Sequence, residues 1–282
     1  MPQSSDLPGN AAQVDYWNAA AGNTWASLQE LLDRQIAPLG HEALRALSPV
    51  HGEHVIDIGC GCGQTSVDLA ARVAATGRVV AVDISKPMLS VARRRPLPPG
   101  TARPDFREVD AQTGDLGRAI FDAAYSRFGV MFFSDPVAAF ANIRASMKER
   151  GRLAFVCWRG LAENGWMREP LEAASPFLPP PAPSDPTAPG PFAFADDARL
   201  RSILAAAGFG SVSIDPFDTR IGSGDVEQTL NLALRVGPLG AAMREYPDLR
   251  LKVTDAVREV FIRYRTASGV LMPAAVWIVL AA

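Results

Sequence analysis

Three glycines within five residues, Gly59, Gly61 and Gly63, constrain this chain more than any other feature. They follow the apolar run Val55-Ile56-Asp57-Ile58, and a helical pattern opens at Gln64-Thr65. A strand that ends in such a loop and continues into a helix lets backbone amides and a helix N-terminus approach a ligand closely. In an open α/β sheet, that junction at the carboxyl end of the first parallel strand is where a nucleotide-like cofactor sits.

The residues downstream repeat the unit. Strand-like runs at His54 to Ile58, Arg78 to Asp83, Phe106 to Val109, Phe121 to Ser126 and Arg152 to Trp158 alternate with helical runs at Thr65 to Ala75, Lys86 to Arg95 and Val137 to Lys148. The alternation predicts an α/β fold, a mostly parallel sheet with helices on both faces. Right-handed crossovers make it doubly wound. Upstream, Gln13 to Leu47 reads as helical, with Leu28, Leu31, Leu32, Ile36, Leu39, Leu44 and Leu47 at helical spacing. Pro38 and Gly40 are expected to divide it into two helices.

After Trp158 the pattern changes. Residues 176–191 hold eight prolines, which excludes a helix or a central strand. The stretch reads as a surface loop, or as a lid over the site because it leaves the carboxyl edge of the fifth strand. A helix is expected from Asp196 to Ala207. Strands at Ser211 to Ile221 and Val270 to Leu280 bracket helical segments at Val226 to Val236 and Leu249 to Ala267. The expected organisation is a single domain over 1–282. It comprises a helical cover (1–50), a cofactor-binding core (51–158), a proline-rich lid (159–195) and the C-terminal half of the sheet with its helices (196–282).

Composition narrows the partners. A net charge of −2 over 282 residues gives no reason to expect nucleic acid or an anionic membrane. Three cysteines, two of them in the glycine loop, form no disulfide framework and suit a reducing cytoplasm. The start, Met1 to Asp6, has no basic region followed by an apolar one, so no secretion signal is expected. No uncharged apolar run is long enough to cross a bilayer.

Two acids extend the glycine signal. Asp83 closes the run Val79-Val80-Ala81-Val82 and lies 20 residues beyond Gly63, the distance expected of a carboxylate that accepts from ribose hydroxyls. Asp110 follows the third strand, where a carboxylate can accept from an exocyclic amine such as that of adenine. Gln64 stands where the dinucleotide fingerprint G-x-G-x-x-G has its last glycine, and a larger residue there hinders close approach of a pyrophosphate. Cys60 and Cys62 read as small residues filling tight space rather than as soft-metal ligands, because no histidine accompanies them. As thiols bordering a cofactor they are expected to be sensitive to alkylation.

With these motifs the chain resembles the class I S-adenosylmethionine-dependent methyltransferases of the small-molecule type, related to the quinone-biosynthesis methyltransferases. Val55 to Gly63 resembles the family's first motif, Val80 to Ser85 its second, and Asp110-Ala111 its third. Phe121 to Phe128 resembles the fourth-strand motif. Lys148 to Leu153 resembles the turn into the fifth strand, with Glu149-Arg150 where Pro-Gly is commoner. Tyr16-Trp17-Asn18 with Trp25 resembles the opening helix. The resemblance implies a Rossmann-like seven-stranded sheet with the last strand antiparallel, and S-adenosylmethionine as cofactor. It implies that Gly59 and Gly61 pass beside the methionine part, with Asp57 orienting the amino group. Asp83 holds the ribose, Ile84 and Met88 pack on adenine, and Asp110 with Ala111 meets its edge. Ser126, through its backbone, and Arg127 lie near the sulfonium, and Tyr16 and Trp25 cover the cofactor. The loop's lack of lysine or arginine favours a phosphate-free cofactor and leaves a dinucleotide open.

No catalytic residue is assigned. A hydroxyl acceptor needs its proton removed, commonly by histidine. The three histidines are His41, His51 and His54, and none follows residue 54. Either the small-molecule acceptor is already nucleophilic, or a carboxylate or tyrosine serves as base, with Asp135, Glu163 and Tyr16 as candidates. Trp158, Trp166, Met167, Phe177, Phe192 and Phe194 are candidates for an apolar acceptor pocket, and equally for anchoring the loop to the body. Two competing functions stand beside methyl transfer: a nicotinamide-dependent oxidoreductase, against which the Gln64 departure and the lack of a Tyr-x-x-x-Lys pair argue, and a non-catalytic S-adenosylmethionine-binding protein.

Overall fold

The computed structural model describes residues 10–180 and 185–282. The N-terminal stretch Met1 to Asp6, Pro181 and Pro183 therefore lie outside the described residues, with the expectations that rested on them.

The N-terminal segment forms α1 (Ala11–Asn18), α2 (Ala20–Ser27) and α3 (Gln29–Leu47). The expected break at Pro38 and Gly40 does not occur; α3 runs through both. A proline inside a helix costs about 3 kcal/mol. The face of α3 that buries Leu32, Ile36, Leu39, Ala43, Leu44 and Leu47 outweighs it, since each large aliphatic side chain contributes roughly 1.5–3 kcal/mol. Gly40 permits close approach to the sheet: the Tyr125 hydroxyl donates to its carbonyl at 2.8 Å. A Cβ there would lie 2.6 Å from Cδ of Arg127. The chain breaks instead at Ala19 and Leu28.

The core then alternates as expected: β1 (His54–Ile58), α4 (Gln64–Val73), β2 (Arg78–Asp83), α5 (Lys86–Ala92), β3 (Asp105–Glu108), β4 (Phe121–Arg127), α6 (Pro136–Ser146) and β5 (Met147–Trp158). The C-terminal part adds α7 (Gly165–Ala174), α8 (Asp197–Ala206), β6 (Val212–Ile221), α9 (Val226–Ala233), α10 (Gly237–Glu245), α11 (Arg250–Arg263), the short strands β7 (Arg265–Thr266) and β8 (Gly269–Val270), and β9 (Met272–Ala281). Two of these helices, α7 and α10, lack a clear signal in the sequence. Pro170 interrupts the first, and Gly237-Pro238 opens the second.

The main sheet has seven strands in the order β3-β2-β1-β4-β5-β9-β6. β1 pairs in parallel with both β2 and β4, and β9 runs antiparallel to β5 and to β6. The expected doubly wound sheet with an antiparallel last strand is borne out. Strand order reverses between β1 and β4, and such a reversal opens a crevice at the carboxyl ends of those strands. One apolar cluster runs from Ile36 to Ala281 through β1, β4, β5 and β9. A second gathers α7, α9, α10 and α11 around Val257 and Phe261.

Of the proline-rich segment, the described part contains only a short helical turn, Ser175–Phe177. Its end is tied to the body. The Gly190 N–H donates to the Met131 carbonyl at 3.1 Å, and the Trp277 indole donates to the Ala195 carbonyl at 3.0 Å.

Candidate cofactor and acceptor site

The crevice at the reversal point holds a cavity of about 320 Å³, within the size range of small-molecule sites. Its floor is built from the glycine loop and the turn after β4. Gly59 adopts φ +65°, and a Cβ on it would lie 2.8 Å from Cα of Gly129. The two backbones touch at this point, so neither residue can carry a side chain. Between them and β5, Phe128 takes φ +61° and stacks on Trp158 with ring centroids 4.2 Å apart. A bulky residue in the left-handed region is unusual and marks a turn that the surrounding packing enforces.

Asp83 closes β2 and is buried at 7% exposure. Its Oδ2 accepts from the Gly61 N–H at 2.7 Å, and Oδ1 accepts from the Ser85 N–H at 2.8 Å. The carboxylate thus ties the glycine loop to the loop after β2. Burial pushes its pKa up against these backbone hydrogen bonds. Asp110 accepts on Oδ1 from the Asn10 side chain at 3.1 Å and from the Gln112 N–H at 2.9 Å.

Most of the expected site residues come together here. Gly59, Gly61, Asp83, Ile84, Met88, Asp110, Ala111, Arg127, Tyr16 and Trp25 all line the cavity. Asp57 and Ser126, expected to act on the ligand indirectly and through the backbone, do not line the cavity. Both are fully buried. Asp57 turns toward α4, where its Oδ2 accepts from the hydroxyls of Thr65 at 2.7 Å and Ser66 at 2.6 Å. Burial raises its pKa to about 6, against the opposing effect of those two hydroxyls and of Arg127. It braces the start of α4 from behind the glycine loop. Ser126 lies inside the sheet, and the next residues of β4 and its turn, Arg127 and Phe128, reach the cavity.

Arg127 is held by its neighbours. It donates to Asp33 Oδ1 at 3.0 Å and to Gln64 Oε1. Arg95 donates to the other oxygen of Asp33, to Gln29 and to the Cys62 carbonyl. Gln64, which breaks the dinucleotide fingerprint, is therefore part of a polar seam that joins α3 to the glycine loop. Cys60 packs with Ala81, Leu89 and Phe106, and burial pushes Cys62 up to about 12. The expected sensitivity to alkylation does not fit thiols held this far from the thiolate.

The cover is aromatic. Trp17 meets Tyr16, Trp25 and Phe132 edge to face, with centroids 5.1–5.7 Å apart. It is clamped over the loop after β2: the Ser85 hydroxyl donates to the Trp17 carbonyl at 2.8 Å. The Asn18 side chain donates to the Ile84 carbonyl at 2.8 Å and accepts from the Lys86 N–H at 2.9 Å. The other end of the cavity is walled by Leu32, Ile36, Met131, Phe133, Trp158, Trp166, Met167, Pro191 and the start of α10. Of the expected acceptor residues, Trp158, Trp166 and Met167 are in place. Phe177 is exposed, Phe192 and Phe194 pack into the core, and none of the three lines the cavity.

No candidate base faces this end. Asp135 caps α6, accepting from the Ala138 N–H, and Glu163 pairs with Arg159. His41 Nε2 lies 3.3 Å from Asp68, and His51 and His54 flank the start of β1. Tyr16 does line the cavity and is 47% exposed, at its mouth. Residues without an individual signal in the sequence complete the site: Asn10, Trp17, Gln35, Gly129 and the α10 segment Val236 to Ala241.

Residues 55–151 match a methyltransferase domain family. The chain is 32% identical over 118 residues to the aklanonic acid methyltransferase DauC of Streptomyces sp. (strain C5), covering 42% of this chain and 54% of that protein. It is 36% identical over 109 residues to a demethylmenaquinone methyltransferase of Clavibacter sepedonicus, covering 39% and 42%. The chain spans about half the length of the first curated relatives it matches. Among solved structures, the YcgJ protein of Bacillus subtilis superposes with a TM-score of 0.56 at 15% identity, over 86% of this chain and 97% of that one; this likeness concerns the fold. The resemblance to small-molecule class I methyltransferases is borne out, and the chain carries a methyltransferase domain between residues 55 and 151. No helix among the described residues is long and apolar enough to cross a membrane.

Proposed function

We propose that this protein transfers a methyl group from S-adenosylmethionine to a small organic acceptor, an aromatic or quinone-like molecule methylated on oxygen or carbon. The observation that carries this reading is the division of one cavity. One end offers two carboxylates and glycine backbone, and the other offers apolar and aromatic walls with no histidine or carboxylate. A buried carboxylate and a half-buried one beside a glycine loop suit a ligand with hydroxyls, an amine and positive charge, and no phosphate.

In this reading Asp83 accepts from the ribose hydroxyls, on lone pairs left free by its two backbone donors. Ile84 and Met88 lie against adenine, and Asp110 with Ala111 meets its edge. Gly59 and Gly61 flank the methionine part, near Arg127, while Tyr16, Trp17 and Trp25 exclude water from above. Asp57 and Ser126 support this arrangement from behind. The cofactor supplies a methyl group already activated for displacement, so the protein contributes alignment and a dry pocket. Without a base at the acceptor end, the receiving atom must be nucleophilic by itself, as in a phenol or enol that ionises readily. Similarity to an aklanonic acid methyltransferase and a demethylmenaquinone methyltransferase supports an acceptor of this kind. Helices α1 to α3 and the described part of the segment 159–195 act as covers on a single domain, and the reaction belongs to the cytoplasm.

Isothermal titration with S-adenosylhomocysteine and with NAD tests the reading. Binding of the first at micromolar affinity or better is expected; tight NAD binding without a response to S-adenosylmethionine would overturn it. Labelled cofactor with cell extract, followed by mass spectrometry, then identifies the acceptor. Cofactor binding with no S-adenosylhomocysteine release from any acceptor would favour a non-catalytic binding protein.

A further inference from the structure

The apolar end of the cavity contains one polar side chain that the cofactor reading does not use. Gln35, on the buried face of α3, is 5% exposed and lines the main cavity. It also lines a second, smaller cavity of about 30 Å³ that continues toward Thr229, Leu232 and Phe261. No hydrogen bond joins its amide to another described residue, and the amide is not sealed from the cavity. Trp166 borders the same two cavities, and its indole Nε1 is a buried donor with no partner among the described residues. Polar groups set in an apolar wall are nearly always paired, with protein, water or a ligand. Around them stand Leu32, Ile36, Met167 and Val236, which offer no alternative partner.

We infer that Gln35 determines acceptor specificity, by donating its amide N–H to a carbonyl or phenol-type oxygen on an otherwise apolar ring system. The inference rests on the methyltransferase reading for the word acceptor. The recognition itself requires only that this end of the cavity take a flat apolar molecule. A donor-bearing apolar wall discriminates by what it rejects: a molecule that lacks the oxygen leaves the amide unpaired. It also accounts for regiochemistry, because an oxygen fixed at α3 orients the ring relative to the donor methyl.

The test uses two probes of nearly equal shape, 1-tetralone, which carries a carbonyl oxygen, and tetralin, which does not. Each is titrated calorimetrically into the full-length protein, with and without saturating S-adenosylhomocysteine. The wild type is expected to bind 1-tetralone roughly five- to tenfold more tightly, the ratio for one net hydrogen bond. Gln35→Met keeps the side-chain length and is expected to bring the ratio to about one, chiefly by improving the affinity for tetralin. A wild type without preference, a wild type that binds neither probe, or a Gln35→Met variant that keeps the full preference would each overturn the inference. Gln35→Leu serves as a second variant should Gln35→Met fail to fold, and the wild-type ratio tests the inference independently of both. Failure of S-adenosylhomocysteine to bind would sink the methyltransferase reading alone, since the probe ratio is also measured without it.

Discussion

Asp83→Asn separates two roles that meet in one carboxylate. In the folded chain both of its oxygens accept backbone N–H groups, from Gly61 at 2.7 Å and from Ser85 at 2.8 Å. Asparagine is nearly the same size but presents one acceptor and one NH₂. Whichever way it turns, an NH₂ faces a backbone donor in a site that is 7% exposed. One buried donor left unpaired costs about 1–3 kcal/mol. Part of that is offset because the variant no longer buries a charge, the effect that raises the Asp83 pKa. A net loss of about 1–2 kcal/mol lowers the melting temperature of a chain this long by roughly 2–8 °C. The same change removes the charged acceptor proposed for the ribose hydroxyls. A hydrogen bond to a charged group contributes about 1.5–3 kcal/mol, so S-adenosylhomocysteine affinity should fall roughly 10- to 100-fold. Calorimetric melting without ligand reads the first effect, and isothermal titration reads the second. Affinity within twofold of the wild type would refute the ribose role. A fall in affinity with an unchanged melting temperature would refute the role in holding the glycine loop.

Three further outcomes follow from the same geometry. Asp57 titrates at about 6 in the folded chain against an ordinary 3.8, so the folded state holds the proton more tightly, and stability is lost as pH rises through that window. The loss is about 3 kcal/mol at about 1.36 kcal/mol per unit. Asp57→Asn should change the stability difference between about pH 4.5 and about pH 7.5 by about 2 kcal/mol in urea melts, and an unchanged difference would exclude Asp57 as a source of it. Gly129→Ala, at an ordinary helical φ of −74°, places a methyl 2.9 Å from both Cα of Gly59 and the Ile58 carbonyl oxygen. It should cost about 1–3 kcal/mol by overpacking and weaken cofactor binding. Gly208→Ala, with no atom within 4 Å, should leave cofactor affinity unchanged. Asn18→Ala loses two of the three hydrogen bonds that clamp α1 over the loop after β2. Limited proteolysis should then cut the N-terminal helices faster, with a several-fold weaker S-adenosylhomocysteine affinity; unchanged values of both would show that the cover is held elsewhere.

Local patterns carried much of the fold. β1 and β2 begin and end where the apolar runs do, because a strand buried on both faces requires an unbroken apolar stretch. The glycine run marked the cofactor end of the cavity for a similar reason: the φ values of Gly59, Gly61 and Gly63 are all positive, and L side chains rarely adopt them. Asp83 and Asp110 were legible because the first closes a strand and the second follows one by two residues. Helix α3 was misread at Pro38 because a local penalty was weighed without the face that the helix buries.

What the sequence by itself determined is the α/β order and the place where a cofactor approaches the backbone, since both depend on periodicity and on residues a few positions apart. Tertiary structure alone decided which side of each acid the cavity lies on. It turned Asp57 away toward Thr65 and Ser66 and left Asp83 at the wall. It also decided the proposed acceptor end, where Gln35 of α3, Trp166 of α7 and Pro238 of α10 line one cavity. These residues are far apart along the chain, none belongs to a motif, and only packing of the three helices across the sheet brings them to one wall. The glycine loop could therefore be read as a place for a methyl donor, while the wall facing the acceptor exists only once the chain has folded.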